Sequence, residues 1–307
     1  MTWQAYGSIV IGSVLLALYS VFTKKTLSAG WKKREALLTT LITGTCAIML
    51  FATCWATGGP KIKPGFWFPV LATGVLNIGI QYLNTLAKSK EEVSLVTPIA
   101  ASTPVIVIFT SMVMLGEYPS KIGWAGIYLL VIGSYVLNMQ PYVDKVRKQE
   151  GVASWKHWLT PFLIMSKSAG IRLAFGAAIL GAISLNWDGL SSRNANVAFG
   201  RGVVWTITAI GSLMIALAKK EIPGAPISWK FYFSTICFLA LLYGGCSWFN
   251  SSAYLGAIVP YVGTLKRLAI PLTIIFAYLL IGEKTNFRNR LTGGMIMAAG
   301  AVLVGIS

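Results

Sequence analysis

The chain has 307 residues, of which 55% are hydrophobic and 11% charged, and its mean hydropathy is +0.69. A soluble protein of this length needs a charged shell over its core, and this chain has too few charges to supply one. Lys and Arg outnumber Asp and Glu by 26 to 9, which gives a formal net charge of +17. Apolar stretches recur at about 17–25 residues, the length of a helix that crosses a bilayer. They lack the alternation of a membrane barrel, so we predict an all-α integral membrane protein.

The cysteines and the single histidine do not indicate a disulfide, a metal site or a catalytic site. Cys46, Cys54, Cys237 and Cys246 lie in apolar segments without CxxC spacing, so neither a disulfide framework nor a metal site is predicted. His157 has no neighbour typical of a metal ligand. The sequence has no nucleotide-binding or catalytic motif, and we expect no cofactor and no enzymatic activity.

Ten membrane spans are predicted. In chain order they cover 5–23, 36–57, 66–86, 93–115, 122–139, 170–187, 197–218, 231–249, 254–281 and 291–306. The polar segment 140–169 separates a first repeat of five spans, 1–139, from a second repeat of five spans, 170–307.

Cations are divided unevenly between the loops. Most follow the odd-numbered spans, and the opposite side has five: Lys61, Lys63, Lys121, Arg193 and Arg201. The positive-inside rule then places 140–169 in the cytoplasm and both termini outside, in the plasma (inner) membrane. The net charge therefore reflects topology in a lipid bilayer, with no nucleic-acid partner.

The two halves resemble each other at a shift of 166 residues. QYLNTLA (81–87) falls on SWFNSSA (247–253), and LGE (115–117) falls on IGE (281–283). A two-residue slip then aligns GIYLLVIG (126–133) with GMIMAAGA (294–301). Because each half has an odd number of spans, the second half enters the membrane in the opposite direction. Inverted repeats of this kind typically build transporters with a substrate site near the midplane.

The stretch VSLVTPIAASTPVIVIFTSMVMLGEYPSKIGWAGIYLLVIGSYVLN (93–137) resembles the fourth and fifth helices of an EamA-type transporter, a family of the drug/metabolite transporter superfamily. LKRLAIPLTIIFAYLLIGEKTNFRNRLTGGMIMAAGAVLVG (265–305) is similar to the ending of such a protein. The resemblance implies ten helices around a central cavity, with helices 5 and 10 at the periphery. It does not indicate one substrate, because members carry many kinds of metabolite.

Lys266 and Arg267 lie near the middle of span 9. A cation at the centre of a membrane helix costs roughly 2.5–3.5 kcal/mol on insertion scales. Either the pair contacts an acid or carbonyls inside the bundle, or at least one member faces the cavity and binds an anion. All nine acids map at or near span ends, Asp188 among them, which favours an anionic substrate. Plastid sugar-phosphate carriers of the same superfamily hold phosphate with a Lys-Arg pair in this helix, so the resemblance implies the same use.

The remaining substrate-binding candidates are polar or aromatic residues on spans 1, 3, 6, 8 and 9: Tyr19, Asn77, Gln81, Tyr82, Asn84, Trp187, Trp248, Asn250 and Tyr261. Asn84 and Asn250 occupy equivalent places in the repeats and either bind substrate or tie helices together. Tyr19, Trp187 and Trp248 either belong to the interfacial aromatic belt or form a cage for a cationic cargo.

We therefore predict a secondary transporter of a small polar, anionic metabolite, working by alternating access as a monomer or homodimer. An exporter of amino acids or amphipathic amines and a lipid-linked sugar flippase are the alternatives. The amine exporter would need the aromatic cage, and the flippase a lateral opening with a long apolar groove.

Overall fold

The computed structural model describes residues 1–27, 31, 34–91, 93–152, 154–221, 228–282 and 287–307, and their regular secondary structure is helical. In the first half, the helices are α1 Trp3–Thr26, α2 Glu35–Ala56, α3 Trp67–Lys90, α4 Val93–Ala100, α5 Thr103–Leu115 and α6 Lys121–Glu150. Then follow α7 Trp155–Trp158, α8 Thr160–Leu163, α9 Ala169–Arg193, α10 Val197–Ala218, α11 Trp229–Phe231, α12 Cys237–Ser252, α13 Val259–Leu265, α14 Ala269–Ile281 and α15 Phe287–Gly305.

Within these described residues, seven helical stretches are long and apolar enough to cross a membrane. They are Trp3–Thr26, Glu35–Ala56, Lys121–Glu150, Ala169–Arg193, Val197–Ala218, Trp229–Leu255 and Val259–Ile281. Trp229–Leu255 joins α11 to α12 through a π-helical turn and ends in a 3₁₀ turn. Thr103–Leu115 and Thr292–Gly305 are shorter apolar helices. The predicted all-α membrane fold is confirmed at this level.

The segment 140–169 is more helical than the sequence analysis expected. Helix α6 continues through Pro141 to Glu150 and ends at Gly151, whose φ is +77°. Lys, Arg, Gln and Glu favour helix, so the loss of hydropathy after residue 139 marks the limit of the apolar segment and not the end of the helix.

Two predicted spans are interrupted helices. The predicted span 93–115 divides into α4 and α5 between Pro98 and Pro104. The predicted span 254–281 begins only at Val259, and a 3₁₀ turn at Lys266–Leu268 separates α13 from α14. Pro260, in the first turn of α13, is favourable there because a first-turn amide has no helical partner in any case. The proline therefore marks the start of the helix.

The helix ends gather at two faces of the bundle. At one face, which we call the Glu117 face, the side chain of Glu117 contacts Arg193, and the amide of Thr2 donates to the carbonyl of Gly256. At the other, which we call the Glu221 face, the carboxylate of Glu221 accepts from the amides of Ala36 and Leu37 at 2.9 and 3.1 Å.

Helices of the first half pack mainly on helices of the second. The main pairs are α1 with α12, α2 with α10, α3 with α9, and α6 with α15, and α5 packs on both α9 and α13. The α6–α15 contact is close enough to need glycine: a Cβ on Gly126 would lie 2.8 Å from the carbonyl of Gly300, and one on Gly133 would lie 2.7 Å from that of Gly293. Small residues let membrane helices approach to backbone contact in this way.

Candidate functional site

An ion pair lies buried between α9 and α10. Arg201 donates from Nη2 to Oδ1 of Asp188 at 2.5 Å, and their side chains are 5% and 11% exposed. The sequence analysis placed Asp188 at the end of span 6, but α9 continues to Arg193, so the carboxylate lies more than one turn inside the helix. The expectation that every acid lies at or near a span end is therefore wrong for Asp188. The signal was available in the sequence, because Asp188 and Arg201 lie on consecutive helices joined by a short turn.

Lys266 points toward a buried tyrosine. Its Nζ donates to Oη of Tyr254 at 3.1 Å and lies 4.9 Å from the centroid of the Tyr254 ring. Tyr254 is 1% exposed, and Asp188 interacts electrostatically with Lys266. A hydrogen bond, the negative face of a ring and a nearby carboxylate each lower the cost of burying the ammonium. Lys266 therefore has the internal partners that one of the sequence-based interpretations required.

Arg267 has different surroundings from Lys266, because neighbouring residues on a helical turn point in different directions. It lines a cavity of about 320 Å³ between α3 and α9. The polar residues on its wall are Asn77, Asn84, Thr103, Ser184, Asp188 and Arg267. Three sequence-predicted residues, Asn77, Asn84 and Arg267, thus meet at one cavity, and Asp188 joins them there.

The cavity runs along α9 between the two faces. Ala174 and Asp188, which both line it, are 14 positions apart, which corresponds to about 21 Å along a helix. Ala174 and Asn84 lie in the half of the bundle nearer the Glu221 face, since α9 begins and α3 ends at that face. Asp188 lies at the opposite end of the cavity, where it pairs with Arg201.

A hydrogen-bonded network closes the Glu117 face. Arg193 donates to Oε1 of Glu117 at 2.6 Å, to the carbonyl of Tyr254 at 2.9 Å and to that of Ala257 at 3.0 Å. The other oxygen of Glu117 accepts from the amide of Val259 at 2.7 Å, the first residue of α13. Glu117 thus caps a helix of the other half, where the positive end of the helix dipole favours a carboxylate.

Asn250 has a closed environment, unlike Asn84. It is 4% exposed and packs against α1, where a Cβ added to Gly12 would lie 2.7 Å from its Oδ1. Its amide nitrogen donates to Sγ of Cys246 at 3.2 Å. Among the described residues, its Oδ1 and the hydroxyl of Ser13 on α1 have no hydrogen-bond partner.

Each of the three aromatic candidates packs against a neighbouring aromatic ring. Tyr19 stacks on Tyr243 with centroids 4.4 Å apart, and Trp187 meets Phe68 edge-on at 5.1 Å. Trp248 lies against Phe249 and lines a small groove between α2 and α12.

Three candidates remain: Tyr82, Tyr261 and Gln81. The first two are not among the residues that line the polar cavity. Tyr82 is 61% exposed on α3. Tyr261 accepts from the amide of Ser120 at 2.9 Å and so ties α13 to the start of α6. The side chain of Gln81 lies outside the described part of the chain.

A second, larger cavity is apolar. It measures about 630 Å³ and lies between α1, α14 and α15, with Tyr6, Pro271 and Met295 on its wall. No residue lines both cavities. Arg267 lines the polar one, and the adjacent Leu268 lines the apolar one, so the 3₁₀ turn separates them.

Comparison with known proteins gives a family match for the first half of the chain and a shared fold for nearly all of it. Residues 3–139 match the EamA-like transporter family. A crystal structure of another protein superposes with a TM-score of 0.69 over 98% of this chain and 96% of that chain, at 15% sequence identity. No curated protein matches the chain. At 15% identity the structural likeness extends to the fold alone.

Proposed function

We propose that the chain is a secondary transporter of a small polar metabolite that carries an anionic group, and the match of residues 3–139 to the EamA-like transporter family supports this. Members of the family are transporters and not enzymes, and the apolar helices make this chain a multi-pass membrane protein. Arg267 is the residue that holds the anionic group in this proposal, and Asn77 and Asn84 hydrogen-bond the rest of the cargo.

The charge balance around the cavity is the observation that carries the proposal. Asp188, Arg201, Lys266 and Arg267 lie within one interior region and have formal charges of one minus and three plus. An incoming carboxylate or phosphate would reduce the net positive charge of this region, and a charge-assisted bond to the guanidinium of Arg267 is among the stronger contacts available. A cationic cargo would meet repulsion, which argues against the amine exporter.

The ten-helix inverted repeat accounts for the packing. Adding α3, the α4–α5 pair and α15 to the seven long stretches gives ten crossings, and Arg267 then belongs to the ninth. The repeat relates α1 to α9 and α3 to α12. The α1–α12 contact should therefore have a counterpart between α9 and α3, and both contacts are present. At a shift of 167 residues Gly126 corresponds to Gly293 and Gly133 to Gly300, so the two close glycine contacts are equivalent. This supports a shift of 167 between α6 and α15, one residue less than the sequence alignment of these segments used.

The orientation follows the distribution of cations. The Glu221 face carries the loops rich in Lys and Arg, so we place it in the cytoplasm and the Glu117 face outside. Both termini then lie outside, in the plasma membrane.

The apolar cavity favours one other function. A lipid-linked cargo could place its chain between α1, α14 and α15 and its head group near Arg267. The separation of the two cavities by the Lys266–Leu268 turn argues for the water-soluble cargo, since the head group would have to cross that turn.

A ligand screen on purified protein tests the proposal. Small carboxylates, phosphate esters, amines and a lipid-linked sugar phosphate are added to wild type, Arg267→Gln and Arg147→Gln, and the unfolding temperature is recorded. Arg147 is an exposed residue of α6 and controls for the loss of one guanidinium. A ligand at 100 times its Kd stabilises the folded state by about 2.7 kcal/mol. We expect an anion to stabilise wild type and Arg147→Gln but not Arg267→Gln. Stabilisation by amines alone would refute the proposal.

A further inference from the structure

A third cavity lies at the Glu221 face, between the end of α1 and the start of α12. It measures about 490 Å³, and we call it the Lys25 cavity after the cation on its wall. Both of its sides reach this face, because α1 begins at the Glu117 face and crosses the bundle, and α11 follows Glu221 in the chain. The Lys25 cavity shares no lining residue with the cavity of Arg267 or with the apolar cavity beside Leu268. It is therefore separate from the proposed cargo site.

The wall of the Lys25 cavity changes from polar to apolar with depth in the membrane. Lys25 lies in the last turn of α1, and Ser234 and Thr235 lie in the π-helical turn that precedes α12. Phe22 precedes Lys25 by about one helical turn, and Phe238 follows Ser234 by about one turn, so both rings lie about 5 Å deeper than the polar groups. A molecule that fills this cavity must combine a polar head with an apolar tail.

Aromatic rings define the floor of the cavity and its level in the bilayer. Phe22 meets Phe238 edge-on with ring centroids 5.1 Å apart, so these rings join α1 to α12 at the deep end. Near the face, Trp31 stacks on Phe231 at 5.1 Å, and Trp229 is 76% exposed. Tryptophans are enriched at the level of the lipid head groups. The shallow end of the cavity is therefore at the level of a lipid phosphate, and the deep end is where acyl chains begin.

The shallow end offers a cation and two hydroxyl groups. Lys25 is exposed, and a lysine at this level can lay its methylene groups on apolar surface while its ammonium reaches the head groups. The hydroxyl oxygens of Ser234 and Thr235 lie 3.5 Å apart, and both groups can donate hydrogen bonds. Among the described residues, no acidic side chain lines the cavity. Basic pockets between membrane helices suit anionic lipid head groups.

We propose that the Lys25 cavity binds one anionic phospholipid from the leaflet at the Glu221 face. The phosphate contacts the ammonium of Lys25 and the hydroxyls of Ser234 and Thr235. An acyl chain lies over Phe22 and Phe238, and it can continue into the bilayer because Phe238 is 40% exposed. A water-soluble phosphate ester could reach the ammonium but would leave the apolar floor uncovered, which disfavours it. The site does not depend on the cargo or on Arg267.

Native mass spectrometry of the delipidated protein tests the site, because it resolves each bound lipid. Phosphatidylglycerol is added to wild type, Lys25→Gln and Lys24→Gln. Lys24 is the control because it is exposed in the same helical turn and does not line the cavity. We expect the affinity for the first phosphatidylglycerol to fall about fivefold in Lys25→Gln, the effect of one lysine at an anionic surface. Lys24→Gln should leave it nearly unchanged, and an equal loss in both variants would overturn the inference.

A second pair of variants tests the deep end. Phe238→Ser should weaken phosphatidylglycerol binding severalfold, because it removes apolar surface from the floor. Phe233→Ser is its control, since Phe233 is 63% exposed and does not line the cavity. This pair keeps the inference testable if Lys25→Gln does not assemble. Equal affinities of Phe238→Ser and Phe233→Ser would overturn the inference.

Two competing ligands identify the class of molecule that binds. Phosphatidylcholine with the same acyl chains should bind wild type more weakly than phosphatidylglycerol and should not respond to Lys25→Gln, because its head group has no net charge. Equal binding of the two lipids would reject the anionic head. Glycerophosphoglycerol has the head group of phosphatidylglycerol without its chains, and an excess of it should not displace the lipid. Displacement would reject the phospholipid and assign the cavity to a soluble phosphate ester.

Discussion

Replacing Asp188 by Asn should destabilise the bundle more than any comparable change at the surface. The pair with Arg201 has a 2.5 Å contact and is nearly enclosed. The Nε of Arg201 already has no partner within the described residues, so the guanidinium depends heavily on this carboxylate. Removing one partner of a buried pair costs about 3–5 kcal/mol, because the other charge stays buried without compensation. We therefore expect Asp188→Asn to lose about 3–5 kcal/mol.

A double-mutant cycle separates the loss of a contact from the burial of a charge. Asp188→Asn combined with Arg201→Gln should recover part of the loss, because the guanidinium is no longer buried without its carboxylate, while Lys266 still lacks the nearby negative charge. The surface pair of Glu150 with His157, at 3.6 Å and 61% and 25% exposed, provides the control. Glu150→Gln should change stability by no more than about 1 kcal/mol.

The assay is reversible unfolding of purified protein in mixed micelles of increasing denaturing detergent, followed by fluorescence of the 11 tryptophans. If Asp188→Asn unfolds at the same detergent fraction as Glu150→Gln, the carboxylate does not stabilise Arg201. The same holds if the double variant is less stable than Asp188→Asn alone. Either result would refute the charge-burial reasoning.

Two further predictions concern the ends and the edge of the bundle. Glu117→Ala should cost about 1–3 kcal/mol, because it removes the carboxylate from Arg193 and leaves the amide of Val259 without its acceptor, and Tyr118→Ala at an exposed position is the control in the same unfolding assay. An equal effect of both would contradict the closing network. Gly133→Val should cost about 1–3 kcal/mol or more, because its Cβ would meet the Gly293 carbonyl at 2.7 Å, and Gly7→Val should cost nearly nothing. Wild-type stability in Gly133→Val would mean that α6 and α15 are not in backbone contact.

Hydropathy located several helices closely. Val197–Ala218 was predicted at 197–218, and Glu35–Ala56 at 36–57. The ends of these helices coincide with the ends of apolar segments of the length that a bilayer requires, and such segments can be identified directly in the sequence. Hydropathy does not indicate where a helix continues beyond its apolar segment. The extension of α9 to Arg193 and of α6 to Glu150 was missed for that reason.

The site was predicted less completely than the helices. Polar residues in apolar segments identified Arg267, Asn77 and Asn84, which now line one cavity. Hydropathy does not indicate which way a side chain points around a helix. Tyr82, which is exposed, and Asn77, which lines the cavity, were therefore predicted as substrate-binding residues on equal grounds. Asp188 was missed as a member because the predicted span ended before it, although Arg201 on the next helix offered it a partner. Packing between helices decides which way each side chain points, and a single sequence does not show that packing.

The central claim is that Arg267 holds an anionic cargo during transport, and counterflow in proteoliposomes tests it most directly. Vesicles are loaded with the anion that best stabilises the wild type, and entry of its labelled form is measured for wild type, Arg147→Gln and Arg267→Gln. The account predicts accumulation with wild type and Arg147→Gln, and at least a tenfold lower initial rate with Arg267→Gln. Equal rates in all three proteins would contradict it and assign Arg267 to the structure of the bundle.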